Sequence, residues 1–293
     1  MTSRRRFVGS LAALPVLASL GPNRAIAAPG RAGQDELLLM TYNLRYAGDR
    51  KPNAWRDRRP VMKALFDAYA PDICGTQEGL YPQLRDIAAD QPGYDWIGTG
   101  RDGGSRGEFM AVFYRRDRFE PLEFDHFWLS DTPDVVGSAT WGNTNRRMVT
   151  WVRFQDRRTR REFHVWNTHL DHQVQGAREK AALLIRERIA KIREELPLFL
   201  LGDFNAQAAG NPAYDILVKE GGLTDTWFAA KERRNEDVDS FNNFGPVARQ
   251  GRRIDWILAR ARAEIRATEI VTFRQGGQWP SDHCPVAAWL TLR

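Results

Sequence analysis

The chain has 293 residues, 42% hydrophobic and 27% charged, the profile of a soluble globular protein with room for one large domain or two small ones. Its 43 Lys and Arg exceed its 37 Asp and Glu, but Arg4, Arg5, Arg6 and Arg24 lie in the first 28 residues, which hold no acid, leaving 39 against 37 beyond them. So even a balance makes no field that would by itself imply a nucleic-acid groove.

Those first 28 residues read as an export leader. Ser3-Arg-Arg-Arg-Phe7-Val8 opens onto an apolar run from Phe7 to Leu20, and Ala25-Ile-Ala27 forms a small-x-small cleavage site. Arg4-Arg5 with Phe7 two places on resembles a twin-arginine signal, which implies the twin-arginine export machinery as a partner and a periplasmic or secreted protein. The run is too short to span a bilayer, so no stable membrane anchor is expected. Residues 29–35 are a short Pro/Gly linker, and residues 36–293 form the domain.

Glu36 to Leu44 reads as a buried first strand ending in Thr41-Tyr-Asn43-Leu-Arg45. Trp55 to Tyr69 sets Val61, Leu65 and Ala68 at helical spacing, with Pro71 beyond its end. Asp72 to Glu78 is a short strand terminating in a carboxylate, and a second amphipathic helix runs from Tyr81 to about Ala89. Strands follow over Asp95–Gly100, Glu108–Tyr114, Arg118–Leu129 and Arg147–Phe154, parted by polar, Gly-rich loops. Glu162 to Leu170 is a further strand, leading into Asp171-His172. The longest helix is predicted over Gly176 to Leu196, stopped by Pro197. Leu198-Phe-Leu-Leu is a buried strand ended by Gly202, and Ala229 to Arg253 is a long polar loop. Arg253 to Leu258 is a strand with an acid inside it, and Glu264–Phe273 and Pro285–Leu292 complete the chain. This order predicts one domain of mixed, largely antiparallel sheet with helices outside.

Two cysteines, Cys74 and Cys284, do not make a zinc ligand set, since no C-x-x-C exists. A disulfide is permissible after export, but a twin-arginine substrate folds beforehand in a reducing compartment, so two buried thiols are expected.

The chemistry gathers at strand ends. Asp203 and Asn205, two apart in an extended segment, share a face. A carboxylate beside a carboxamide at the mouth of a buried strand suits holding and activating one water, although Gly, Asp and Asn also form turns. Asn43, Glu78, His169, Asp255, Asp282 and His283 occupy similar places, where an unpartnered polar group is costly. Glu and Asp carboxylates with an Asn carbonyl are hard ligands for Mg²⁺ or Mn²⁺. Two histidines and an Asn are donors for a phosphate, and one acid remains to act on water. Arg45, Arg147 and Arg178 are candidates to contact phosphate or an anionic substrate group. Asp171 falls on the face of His169, Glu108 begins a strand that could reach the cleft, and Trp279 in a polar loop is a candidate platform for a base or sugar.

The ordered set T-Y-N-L, G-T-Q-E, N-T-H-L-D-H, G-D-F-N-A, I-D-W-I and S-D-H-C-P-V resembles the endonuclease/exonuclease/phosphatase superfamily over about Glu36 to Leu292. The resemblance implies a DNase I-like four-layer α/β/β/α sandwich of two mixed, mostly antiparallel sheets, with the site between their upper ends. It implies Glu78 as principal metal ligand, aided by Asn43 and Asp282. Asp203 would orient or deprotonate the attacking water, and Asn205 would hold it. His283 would bind the scissile phosphate, oriented by Asp255, with His169 as second phosphate donor or leaving-group acid. The implied activity is a metal-dependent phosphoesterase acting by in-line attack on phosphorus, as a monomer. Its substrate would be nucleic acid or a small phosphorylated sugar, inositol or lipid headgroup. The alternative is a non-catalytic module binding such groups. No basic arm and no membrane-inserting apolar hairpin is evident, and the N-T-H-L-D-H form is closer to deadenylase-like and bacterial branches.

Overall fold

The computed structural model describes residues 30, 33–260 and 262–293, so the leader predicted over residues 1–28 lies outside the described residues. In strand β1 (Leu37–Asn43) both faces are apolar, which is the mark of a strand covered on each side. Leu37 and Leu39 join a core that lies between two sheets, whereas Leu38, Met40 and Tyr42 meet Val61, Leu65 and Phe66 of helix α1 (Trp55–Tyr69). Each such side chain, fully removed from water, contributes about 1.5–3 kcal/mol.

After α1 come β2 (Ile73–Leu80), α2 (Tyr81–Asp90), β3 (Tyr94–Ile97), β4 (Glu108–Arg115), β5 (Phe119–Trp128), β6 (Met148–Asp156) and β7 (Glu162–His169). Then follow α3 (Gln175–Ala190), β8 (Leu198–Asp203), α4 (Pro212–Val218), β9 (Thr224–Asp225), α5 (Thr226–Ala229) and β10 (Glu232–Arg234). The chain closes with β11 (Asp255–Arg260), β12 (Ala263–Ile270) and β13 (Val286–Leu292). One sheet runs β10-β12-β13-β1-β2-β4-β3 and the other β5-β6-β7-β8-β11-β9. Their inner faces form one core, α1 and α2 pack behind the first, and α3 and α4 pack behind the second. The result is the expected four-layer α/β/β/α sandwich.

Each sheet holds a parallel pair joined by a helical crossover: β1 with β2 through α1, and β7 with β8 through α3. The C-terminal ends of these four strands meet at one edge of the sandwich. The antiparallel neighbours β11 and β13 start at that same edge, because Asp255 pairs with Asp203 and Val286 with Thr41. Topology alone therefore collects the motif residues.

Beneath that edge the sheets are tied by a polar bridge. Asn167 of β7, fully buried, donates Nδ2 to the carbonyls of Thr76 and Ala111 at 2.8 and 2.9 Å, and its Oδ1 accepts from Gln77 Nε2 at 2.7 Å. A Cβ on Gly75 would stand 2.9 Å from Asn167 Oδ1, so this approach requires glycine. A buried amide with partners on the opposite sheet fixes how the two layers meet.

Three expectations differ from the structure. The long helix α3 ends at Ala190, not Leu196, because the chain turns at Lys191–Leu196 before Pro197 is reached. The segment 229–253 is not merely loop: it carries β10 and an isolated bridge from Phe241 to His283. Helix α4 was hidden by its length, although Asn211 caps it by accepting from Ala213 N and Pro212 stands at its first position. Cys74 and Cys284 are both free and buried, as expected.

Candidate active site

Glu78 reaches the edge through an irregular backbone. The register of β2 on β4 shifts between Thr76 and Gly79, and within that bulge Glu78 takes φ 61°, the left-handed region a side chain rarely adopts. Arg45 and Asn205 share this conformation, with φ 53° and 48°. Such strain persists only where surrounding contacts impose it. Here Asn205 N donates to Asp203 Oδ1 at 2.9 Å and Arg45 N donates to Asn43 Oδ1 at 2.9 Å.

Asn43 joins the two halves of the site. Its Nδ2 donates to Glu78 Oε1 on the first sheet and to Asp203 Oδ2 on the second, both at 3.0 Å. Its amide oxygen accepts from Arg45 N, and its nitrogen serves the two carboxylates.

Asp203 is 1% exposed. Burial, with the charge of Asp255, pushes its carboxyl up to about 7, against the opposing pull of His283 and the donors Asn205 N and Asn43. For His283, burial alone would lower the imidazole, but Asp255 and Asp203 overcome it and lift it to about 10. Its Nδ1 donates to Asp255 Oδ2 and Oδ1 at 3.0 and 3.2 Å, leaving Nε2 3.8 Å from Asp203 Oδ2. Ser240 Oγ accepts from Ile254 N and Asp255 N, and Ser281 Oγ accepts from His283 N while donating to the Asn43 carbonyl at 2.7 Å. These contacts fix both partners of the pair.

His169 is of opposite character. Burial, then Arg147 and Arg101, hold its imidazole well below the ordinary value, so it is neutral. Asn205 Nδ2 donates to His169 Nε2 at 3.0 Å and to the Leu170 carbonyl at 3.1 Å. Nε2 also lies 3.4 Å from Asp203 Oδ2, so it stands between the amide and the carboxylate. Asp282 is 4% exposed, raised by burial, and stands 3.7 Å from Arg45 Nη1.

Ligand atoms of Glu78, His169 and Asp203 lie within 4.8 Å of one another, and so do those of Asp203, Asp255 and His283. Glu78, Asp203, Asp255 and Asp282 thus gather round His283, with Arg45 beside Asp282 and the buried Arg147 on the side of His169. That surplus of hard oxygen donors fits a divalent cation such as Mg²⁺ or Mn²⁺. A groove of about 630 Å³ lined by Trp151, His164, Trp166, Lys191 and Arg193 contains none of these residues.

The remaining candidates are placed differently. Arg45 stands at the mouth, bound to Asp49 at 2.9 Å. Arg147 is buried at 4% exposure, 3.6 Å from Asp171 and 3.1 Å from His172 Nδ1, with no hydrogen-bond acceptor for Nε or Nη1 among the described residues. Asp171 Oδ1 accepts from Gln173 N and Val174 N, so it turns the chain into α3. Arg178 is occupied by the Asp171 carbonyl and Gln175 Oε1. Glu108 pairs with Arg101 at 2.6 Å, and burial pushes it up to about 7. The expectation of an exposed Trp279 ring fails: it is 7% exposed and packs in the inter-sheet core beneath Arg274, where its apolar area is better spent.

Residues the sequence did not single out complete the frame. Arg58, fully buried on α1, donates to the carbonyls of Leu44, Arg45 and Pro280 at 2.7–2.9 Å and so gathers two loops of the site. Nothing in its sequence surroundings signals this. Gln77 and Asn167, by contrast, sit inside two of the motifs.

A profile described as the Endonuclease/Exonuclease/phosphatase family matches residues 40–283. A solved endonuclease/exonuclease/phosphatase family protein from Bacteroides thetaiotaomicron is 35% identical with a TM-score of 0.83, over 88% of this chain and 98% of that one. A mannosyl-6-phosphatase from the same organism is also 35% identical, with a TM-score of 0.82 over 87% of this chain and 100% of that one. An uncharacterised protein of Acanthamoeba polyphaga mimivirus is 31% identical over 160 residues, 52% of this chain and only 59% of that protein's length.

Proposed function

The chain belongs to the endonuclease/exonuclease/phosphatase family, and from that premise we propose that it is a Mg²⁺- or Mn²⁺-dependent phosphoester hydrolase acting on a small phosphorylated sugar. One observation carries the reading. A carboxyl poised near neutrality, Asp203, faces a cationic imidazole, His283, across 3.8 Å, with Glu78 and Asp282 beside them.

In this mechanism Asp203 takes the proton of the attacking water, and a pKa near 7 suits a base that must be ionised and still bind a proton. Asn205, rigid at positive φ, orients that water. His283 meets the phosphoryl oxygens and the charge that grows on them, and Asp255 holds its tautomer and direction. His169, neutral and hydrogen-bonded to Asn205, fixes that amide. Glu78 and Asp282 would hold the divalent cation, which when bound neutralises phosphoryl oxygens. Asn43 keeps Glu78 and Asp203 in register across the two sheets.

A sugar phosphate is favoured by the likeness to the mannosyl-6-phosphatase and by the near balance of charge outside the first 28 residues. Phosphate release should be measured from mannose 6-phosphate, glycerol phosphate, bis-(p-nitrophenyl) phosphate, single-stranded DNA and RNA, with Mg²⁺, Mn²⁺ or EDTA. Cation-dependent release from the hexose phosphate, abolished by EDTA, is expected. Cleavage of DNA or RNA alone would replace the sugar assignment by a nuclease. Binding without turnover on any substrate would favour the non-catalytic module.

The first 28 residues are proposed to direct twin-arginine export, on the strength of Arg4-Arg5, the apolar run and Ala25-Ile-Ala27. Replacing Arg4 and Arg5 by Lys should retain the protein in the cytoplasm of an expressing bacterium. Unchanged delivery to the periplasm would refute this route.

A further inference from the structure

Phe241 is 43% exposed, although Ser240 and Asn242 on either side of it are buried. Single exposed rings are common on protein surfaces, and Phe124 and Phe228 are more exposed still; Phe241 is set apart by what its segment is joined to. Phe241 pairs with His283 in an isolated β-bridge, Asn242 N donates to the Asp282 carbonyl at 2.8 Å, and Cys284 N donates to the Ser240 carbonyl at 2.7 Å. The segment is thus zipped to the stretch that carries Asp282 and His283. Its ring stands edge-to-face against the His283 imidazole, centroids 5.0 Å apart. A second exposed ring borders the same cluster: Tyr46 is 37% exposed, its N–H lies 3.3 Å from Glu78 Oε2, and the Arg45 guanidinium covers its face at 4.7 Å.

We propose that Phe241 is a specificity-determining platform, packing against the C–H face of the pyranose ring of a hexose phosphate whose phosphoryl group lies on His283. This deepens the sugar-phosphate reading and rests on it. A group esterified to a phosphate held by His283 comes within one ring's width of Phe241, and an aromatic face beside charged groups suits a ring with an apolar face and a hydroxylated rim. A polynucleotide would bring a row of phosphates toward Glu78, Asp203, Asp255 and Asp282. Against these the mouth offers the partly exposed Arg45, itself engaged by Asp49 and Asp282. A monoester brings one phosphate and fits that balance.

The competing account is that Phe241 only shields the His283–Asp255 pair from water. Binding to the Asp203→Asn variant separates the two without requiring turnover. Calorimetric titration with mannose 6-phosphate, inorganic phosphate and a thymidine dinucleotide would be compared before and after adding Phe241→Ala. Affinity for mannose 6-phosphate should fall about tenfold, recover with Phe241→Trp, and remain unchanged for inorganic phosphate, which has no ring. In the otherwise wild-type enzyme, KM should rise similarly with kcat within about twofold.

Equal weakening of inorganic phosphate, or a loss of kcat with KM unchanged, would assign Phe241 to shielding and overturn the platform. An effect confined to the dinucleotide would overturn the sugar. If the wild type hydrolysed nothing yet ring-dependent binding persisted, the hydrolase reading would fail while the platform stood.

Discussion

Asp203→Asn is expected to lower turnover by about a thousandfold while the metal-free protein unfolds at no lower temperature than the wild type at pH 8. The first half follows from the proposed role of Asp203 as the base that takes the proton of the attacking water, a contribution of about 10²–10⁴. The second follows from the cost of that carboxylate. It is buried beside Asp255, and its raised value means that the fold disfavours the charged form. A neutral amide of the same shape avoids that cost, against the loss of one accepted bond, since Asp203 takes Asn205 N on one oxygen and Asn43 Nδ2 on the other. Activity in the wild type should fall as pH drops below about 7, where Asp203 becomes protonated.

Stability without metal moves the other way. Asp203 is lifted on folding, so its contribution is full below the ordinary carboxylate range and is lost as pH rises toward about 7. His283 is lifted too, so its contribution is full below the ordinary imidazole value and is lost as pH rises through about 10. Thermal melts in EDTA from pH 5 to 9 should therefore decline for the wild type, with the acidic part of the decline flattened in the variant. A variant that retained a tenth of the turnover would remove Asp203 from the role of base, and one that melted well below the wild type at pH 8 would overturn the cost assigned to its charge.

Glu78→Gln is the second large expectation. Glutamine has one acceptor oxygen in place of two, so the bond to Tyr46 N, made by the other carboxylate oxygen, is lost and that to Asn43 Nδ2 survives. The negative charge that anchors a divalent cation does not. With Mg²⁺ at about 100 times its Kd, the wild type should gain about 2.7 kcal/mol of stability. In a domain of this size that corresponds to a rise in Tm of about 5–10 °C. The variant should show little of this shift at the same Mg²⁺ concentration, together with a loss of turnover of at least about a hundredfold. A full Mg²⁺-induced shift in Glu78→Gln would mean that the cation is held elsewhere, with Asp282 and Asp255 the next pair to alter.

Much of this centre was legible in the chain because its strands are short apolar runs that stop at an ionisable or amide residue. Asn43, Glu78, His169, Asp203, Asn205, Asp255, Asp282 and His283 could be named from that rule and from the motifs, and the topology brings them to one edge. What could not be read depends on groups distant in sequence. Which way the amide of Asn43 turns is set by Glu78 and Asp203, 35 and 160 residues away. Trp279 looked exposed because its neighbours are polar, yet the core beside it had room for an indole. Arg58 is silent in sequence, since a basic residue on an amphipathic helix ordinarily faces water, and only the carbonyls of two remote loops explain its burial. Phe241 lies in a stretch without periodicity, where pairing to His283 rather than local propensity sets the backbone.

The amide of Asn43 spans the seam between the sheets, 160 residues from Asp203 and 35 from Glu78. Neither layer alone carries both Glu78 and Asp203. Catalytic competence consequently depends on the docking of the two layers, and contacts so far apart in sequence close at a greater entropic cost than local ones. β13 pairs with β1 and follows directly on the stretch that carries Asp282 and His283, so the site depends on this strand being in place.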